Sequence, residues 1–205
     1  MSLFKAREWW VATTGSEEEF APNAFCVADI DNQGGAKVVT GSLTGLLRIY
    51  FPRQRDYTVD DLLLEQQLDA PILQLCAGTF SPGGVGLALA VLHPRKLGVY
   101  EVHPAGAGGS YHTLSRVFEH PLDRNSFNLA HGRFGSTSAA GSARATEYLC
   151  VQSIDGTVTV FEAEAAAYSR SLSKFLVPGP WVYAPRLDAF ITANAALEVD
   201  CFRHS

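Results

Sequence analysis

Charge is scarce in this sequence, and none of it is gathered. Only 18% of the 205 residues are Asp, Glu, Lys or Arg, with 16 basic against 21 acidic side chains and a net charge of -5. Lys and Arg are scattered singly, so the positive stripe that a phosphate backbone requires is missing and nucleic acid is not an expected partner. Long apolar runs are missing too. The longest, GVGLALAVL (Gly84–Leu92), falls well short of the about 20 residues that a membrane-spanning helix needs. The opening MSLFKAREWW holds no secretory core, because Lys5 and Arg7 interrupt it, and a soluble, cytosolic protein is expected. Close cysteine pairs are absent. Cys26, Cys76, Cys150 and Cys201 lie far apart among apolar neighbours, which points to reduced core residues and not to a metal or redox site.

What is present is alternation with a period of two. It runs through AFCVADID, AKVVTGSL, ILQLCAGTF, LALAVLH, EYLCVQSID and AFITANAA, each bounded by Gly, Pro, Asp or Ser. Short alternating runs between turn residues are an all-β signal. Thr58–Leu68 (TVDDLLLEQQL) is ambiguous, since Thr58 and Asp61 resemble a helical capping box while Leu62, Leu64, Gln66 and Leu68 alternate. The strand reading is preferred there.

The pattern repeats. SLTGLLRIYF (Ser42–Phe51) superimposes on SIDGTVTVFE (Ser153–Glu162), with Gly45 on Gly156 and Tyr50 on Phe161. LHPRKLGVY (Leu92–Tyr100) and NAALEVDCF (Asn194–Phe202) give two further copies, so the aromatic ends Tyr50, Tyr100, Phe161 and Phe202 are 50, 61 and 41 residues apart. A period of about 40 to 45 residues made of four short strands is the signature of a β-propeller blade. Approximate blades are 20–69, 70–121, 122–180 and 181–205, the last incomplete, with 1–19 supplying a strand that completes the last blade of the closed ring. The excess length falls in HPAGAGGS (His103–Ser110) and GSTSAAGSARAT (Gly135–Thr146), which read as surface loops. Asp155-Gly156 suits a two-residue turn with positive φ, and Gly45 offers the same freedom. Four units are few for a closed ring, so the chain is expected to be the N-terminal part of a longer propeller.

Few residues suggest chemistry. DIDNQGGAKVVTGS (Asp29–Ser42) has the alternating acids of a calcium loop in Asp29 and Asp31, but Gln33 and Lys37 stand where further acids would be wanted, and a capped turn is the preferred reading. Asp29, Glu119, Asp155 and Asp188 come from different blades and could in principle meet in a hydrolytic funnel, though nothing pairs them in sequence. The six histidines, His93, His103, His112, His120, His131 and His204, show no metal-ligand spacing. Trp9 and Trp10 are adjacent, so in a strand they point to opposite faces; they are packing or interface anchors, with packing preferred.

MSLFKAREWW, ADIDN, GSLTGLLRIY, DLLLE, LAVLHPRKLGVY, QSIDGTVTVFE and FLVPGP, taken in order, resemble the N-terminal region of the Bardet-Biedl syndrome 9 family of BBSome subunits. The resemblance implies a seven-bladed β-propeller followed by further domains, acting without catalytic residues, cofactor, metal or small-molecule substrate. It also implies a scaffold in a coat-like adaptor that is recruited to membranes by an Arf-like GTPase and carries membrane proteins into and out of cilia. The expected partners are therefore the other BBSome subunits, with membrane and GTPase contact indirect through the complex. The expected location is the cytoplasm, cilium and ciliary base. HPAGAGGSYH and GSTSAAGSARAT depart from the family pattern. The other classes the sequence leaves open are a ligand-binding or hydrolytic propeller with a polar funnel and a calcium-stabilised adhesion-type propeller.

Overall fold

The computed structural model describes residues 8–81, 83, 85–135, 146–172 and 174–203. These fold into fifteen strands in four antiparallel sheets, each built from consecutive strands. The first contains β1 (Phe25–Ala28), β2 (Lys37–Gly41), β3 (Leu46–Tyr50) and β4 (Leu62–Gln67). The second contains β5 (Gln74–Gly78), β6 (Ala88–His93), β7 (Lys96–Ala105) and β8 (Tyr111–Pro121). The third contains β9 (Ser126–Gly132), β10 (Tyr148–Ser153), β11 (Thr157–Glu162) and β12 (Ala165–Ser171). The fourth has three described strands, β13 (Leu176–Ala184), β14 (Ala189–Asn194) and β15 (Val199–Arg203).

The first strand of each sheet is the innermost. Asn23, just ahead of β1, bridges Gln74 of β5, and the Leu75 N–H donates to the Asn23 carbonyl at 3.0 Å. The Gln74 side chain then clamps the backbone of β9, donating to Leu129 O at 2.6 Å and accepting from Leu129 N at 2.8 Å. Asn128 on β9 reaches Val177 O on β13 at 3.5 Å. Each inner strand thus touches the next, and the four sheets stand around one axis as consecutive blades.

Sheet faces fill the gaps between blades. Val39, Ile49, Leu47 and Leu64 of the first sheet pack on Leu75, Leu89, Val91, Tyr100 and Val102 of the second. Ala90, Leu92, Leu97, Val99 and Phe118 pack in turn on Leu129, Leu149, Val151 and Phe161 of the third. β6 is therefore covered on both faces, and all six of its residues are buried. That is why its sequence reads as one continuous apolar run. The third junction is thinner: among the described residues its core is Cys150 and Val158, with Trp181, Phe134 and Phe190 half-buried around them.

Local chemistry explains two details. Thr58 and Asp61 do form a capping box, but it caps a single 3-10 turn, Val59–Asp61, and β4 starts at once behind it. Both signals in that stretch were genuine. At Gly45 (φ +90°) and Gly156 (φ +87°) the chain is left-handed, but Asp155 is not, so the turn is not of the two-residue type with both central φ positive. Four-residue turns close both hairpins instead: Gly45 N donates to Ser42 O, and Gly156 N to Ser153 O. The glycine carbonyls then accept from Leu68 N and Leu172 N at the ends of the outer strands, at 2.8 and 2.9 Å.

The blade limits differ from the sequence expectation in places. The outer strand of the third sheet ends at Ser171, and β13 begins at Leu176, ahead of the expected boundary at 181. Most of the proposed strand within 1–19, including LFKARE up to Arg7, lies outside the described residues, as does most of 135–146. Glu8–Glu19 is described without a strand. Cys201, expected in the core, is exposed, because the face of β15 that carries it is uncovered.

Candidate interaction surface

The loops joining the first and second strands of the four blades are stitched together side chain to backbone. Asn32 donates to Leu87 O at 3.1 Å and accepts from Leu87 N at 2.7 Å, tying the first blade to the second. Glu147 accepts from Thr79 N at 2.9 Å, tying the third to the second. Hydrogen bonding to His131 and to the Thr79 N–H outweighs burial and holds the Glu147 carboxyl below its ordinary range. Asp188 accepts from Gly135 N at 3.0 Å, tying the fourth to the third, and takes the Tyr183 hydroxyl at 2.7 Å. Burial and that carboxylate push the Tyr183 phenol up to about 12.

The Asp29–Ser42 loop, weighed as a calcium loop and read in preference as a capped turn, belongs to this set. Asp29 and Asp31 converge, but on the ammonium of Lys37, whose side chain is 3% exposed. Lys37 Nζ donates to Asp29 Oδ1 at 2.9 Å, to Gly34 O at 2.8 Å and to Asp31 Oδ1. The second oxygen of Asp31 lies 2.9 Å from His112 Nε2 on β8, so the cluster also spans the first junction. Burial alone would raise the Asp31 carboxyl; the hydrogen bonds from Lys37, His112 and Gln33 N–H prevail and lower it to about 2.

The four carboxylates considered for a funnel are engaged in separate places. Asp29 holds Lys37, Glu119 on β8 faces Lys96 and Arg116, Asp155 pairs with Arg124 in the β10–β11 turn, and Asp188 caps Gly135. Gly45 and Gly156 stand in turns, as described above. Among the histidines, His93 is fully buried with Nδ1 2.8 Å from Pro71 O, and His120 stacks on Phe161 while its Nε2 lies 2.8 Å from Ala163 O.

Trp9 and Trp10 part company. Trp9 is 56% exposed. Trp10 makes edge contacts with Tyr50 and Tyr57 and donates from Nε1 to Asp61 at 3.2 Å. Further along, Glu18 takes the guanidinium of Arg48 through both oxygens, at 2.5 and 2.8 Å, and Leu43 N donates to Glu19 O. Residues 8–20 thereby lie over the β3–β4 half of the first sheet on the side away from the second blade. Trp10→Ala should destabilise the fold by about 2 kcal/mol and Trp9→Ala by less than about 0.5. Urea denaturation of the two variants against the wild type measures this.

Among the described residues, two sheet faces carry exposed apolar side chains. On the first sheet, Phe25 (56% exposed) and Val27 (54%) are open among the described residues. On the fourth, Val182, Val199 and Cys201 point outward. Beside β15 a cleft of about 390 Å³ opens between the third and fourth blades, lined by Val158, Val160, Tyr168, Trp181, Phe190 and Phe202. In the preceding junctions that space is occupied by outer-strand side chains such as Phe118 and Leu114. The sequence carried a sign of these faces, since β1 and β15 alternate just as the covered strands do. Not legible in the sequence were the pairings of Asp31 with His112 and of Glu147 with Thr79, which cross from one blade to another.

An arc of antiparallel blades around a common axis, three of them four-stranded and the fourth with three described strands, defines the class: this is a β-propeller fold. Known structures agree. BBS1N in complex with ARL6DN superimposes with a TM-score of 0.65 at 12% identity, covering 90% of this chain and 54% of that one. The WD40 domain of SCAP from fission yeast superimposes with a TM-score of 0.52 at 14% identity, covering 91% and 40%. At such identities the likeness is one of fold. The family is shown by sequence: the profile described as PTHB1 N-terminal matches residues 1–205, and the chain belongs to that family. Protein PTHB1 of Xenopus laevis is 41% identical over the whole chain, covering 24% of the relative, and that of Mus musculus is 40% identical, covering 23%. The protein pthb1 homolog of Caenorhabditis elegans is 27% identical over 95% of this chain. The chain spans about a quarter of the length of these relatives. The match corrects the family label drawn from the sequence: the family and its relatives carry the name PTHB1, for which BBS9 is a second name, and PTHB1 replaces the Bardet-Biedl syndrome 9 label.

Proposed function

We propose that this chain is the propeller portion of a non-catalytic scaffold subunit in a BBSome-type assembly. In this reading it displays rigid surface to other subunits, and the assembly moves membrane proteins to and from cilia. The observation that carries the reading is the family match over residues 1–205. Support comes from the commitment of Asp29, Glu119, Asp155 and Asp188 to separate structural contacts, which leaves the hydrolytic alternative without its acids. Further support comes from the fold shared with BBS1N, a propeller solved in complex with ARL6DN. The reading places the protein in the cytoplasm and at the ciliary base, peripheral to membrane, with an Arf-like GTPase reached through the assembly. Tagged full-length protein carrying this chain, purified from ciliated cells, is expected to bring down the other BBSome subunits in near-stoichiometric amounts. Recovery of the tagged protein without them would overturn the proposal.

A further inference from the structure

We infer that the loop between β1 and β2 is a cation-holding loop whose cation is supplied by the chain itself, as the ammonium of Lys37. Residues Asn32, Gly34 and Gly35 all adopt positive φ (+58°, +89° and +82°), and this coils the loop so that its oxygens face inward. The carboxylates are fixed there by the loop's own backbone: Gly34 N reaches both oxygens of Asp29 at 3.0 Å, and Gln33 N reaches Asp31 Oδ1 at 3.1 Å. His112 holds the remaining oxygen of Asp31 from the second blade. Into the space so formed Lys37 inserts Nζ, meeting Asp29, Asp31 and Gly34 O, while the Phe51 ring closes the other side at 5.2 Å.

An ammonium removed this far from water needs oxygen partners on every donor, and three donors here meet three oxygens from three residues. The oxygens are the kind that hard divalent cations bind, namely carboxylates and a backbone carbonyl. They are held by bonds that do not involve Lys37, so removal of the ammonium leaves two oriented carboxylates without a counter-charge. Two side chains and one carbonyl, completed by water, make a weak site for calcium. The native protein, with its cation tethered, is indifferent to calcium, and its first and second blades stay joined without metal.

The test uses the whole chain as wild type, Lys37→Ser, Lys37→Met and the double variant Lys37→Ser/Asp29→Asn, each melted in EDTA and in about 10 mM calcium chloride, a concentration that would fill a weak site. The wild type should melt at one temperature in both buffers. Lys37→Ser and Lys37→Met should melt lower in EDTA and rise by about 3 °C or more with calcium, and the double variant should lose that rise. If the single variants are unfolded in EDTA, circular dichroism should show them folding when calcium is added. Equal melting of the folded single variants in both buffers overturns the inference. So does failure of both to fold in either buffer, or a calcium-dependent rise in the wild type.

Discussion

Gly156→Val is expected to destabilise the fold by about 3 kcal/mol or more, the sum of left-handed backbone strain and overpacking. A Cβ at this position would lie 2.5 Å from the carbonyl oxygen of Lys174 and 3.3 Å from that of Leu172. Both are backbone atoms of the segment leaving the third blade, so relief requires moving the chain, not a rotamer. The φ of +87° adds strain that a β-branched residue bears poorly. The repeat supplies a reciprocal test at the corresponding place in the fourth blade. Leu197 has φ +63°, donates its N–H to Asn194 O as Gly156 does to Ser153 O, and is 94% exposed. Leu197→Gly removes the strain without removing packing and should stabilise by about 0.5 to 1 kcal/mol. Urea denaturation midpoints of the two variants should therefore move in opposite directions, and an unchanged midpoint in Gly156→Val would refute the turn geometry.

Asp31→Ala is expected to cost about 3 kcal/mol, because it leaves a buried ammonium short of its nearest anion. The same contact sets an acid limb. Asp31 titrates at about 2 in the folded protein against 3.8 for the free side chain. A folded value below the unfolded one means that this stabilisation is complete above about pH 5 and is lost as pH falls from about 4 towards 2, a contribution of about 2 kcal/mol. Asp31→Asn keeps the shape and discards the titration. Denaturation at a series of pH values should show it less stable than the wild type at neutral pH, with the gap closing below about pH 3. A gap that stays constant with pH would assign the loss to shape and not to charge.

Much of this was legible in the chain because it is local. The apolar runs ALAVLH and YLCV and the alternating TVTVF reflect strand geometry, and each of the three falls within a strand, β6, β10 or β11. Thr58–Gln67 shows how local signals can be correct together while competing for one label, since a cap and a strand share the same ten residues. Trp9 and Trp10 could be said to face opposite ways, yet only the fold shows that Trp10 is the one seated on Tyr50 and Tyr57. Asp29 and Asp31 were visible as acids, and Lys37 as a charge out of place for calcium. That the lysine itself fills the space between them depends on the three left-handed residues, of which sequence marks only the glycines.

Composition and period thus fixed the all-β class, the four repeating units and the turn glycines, because strand alternation and left-handed turns are decided within a few residues of chain. Tertiary structure alone decided which faces are covered, where the cleft opens, and that Lys37, Asp31 and His112 form one joint. Those contacts join residues up to 81 positions apart, and burial of a charge is settled by the oxygens that surround it in space.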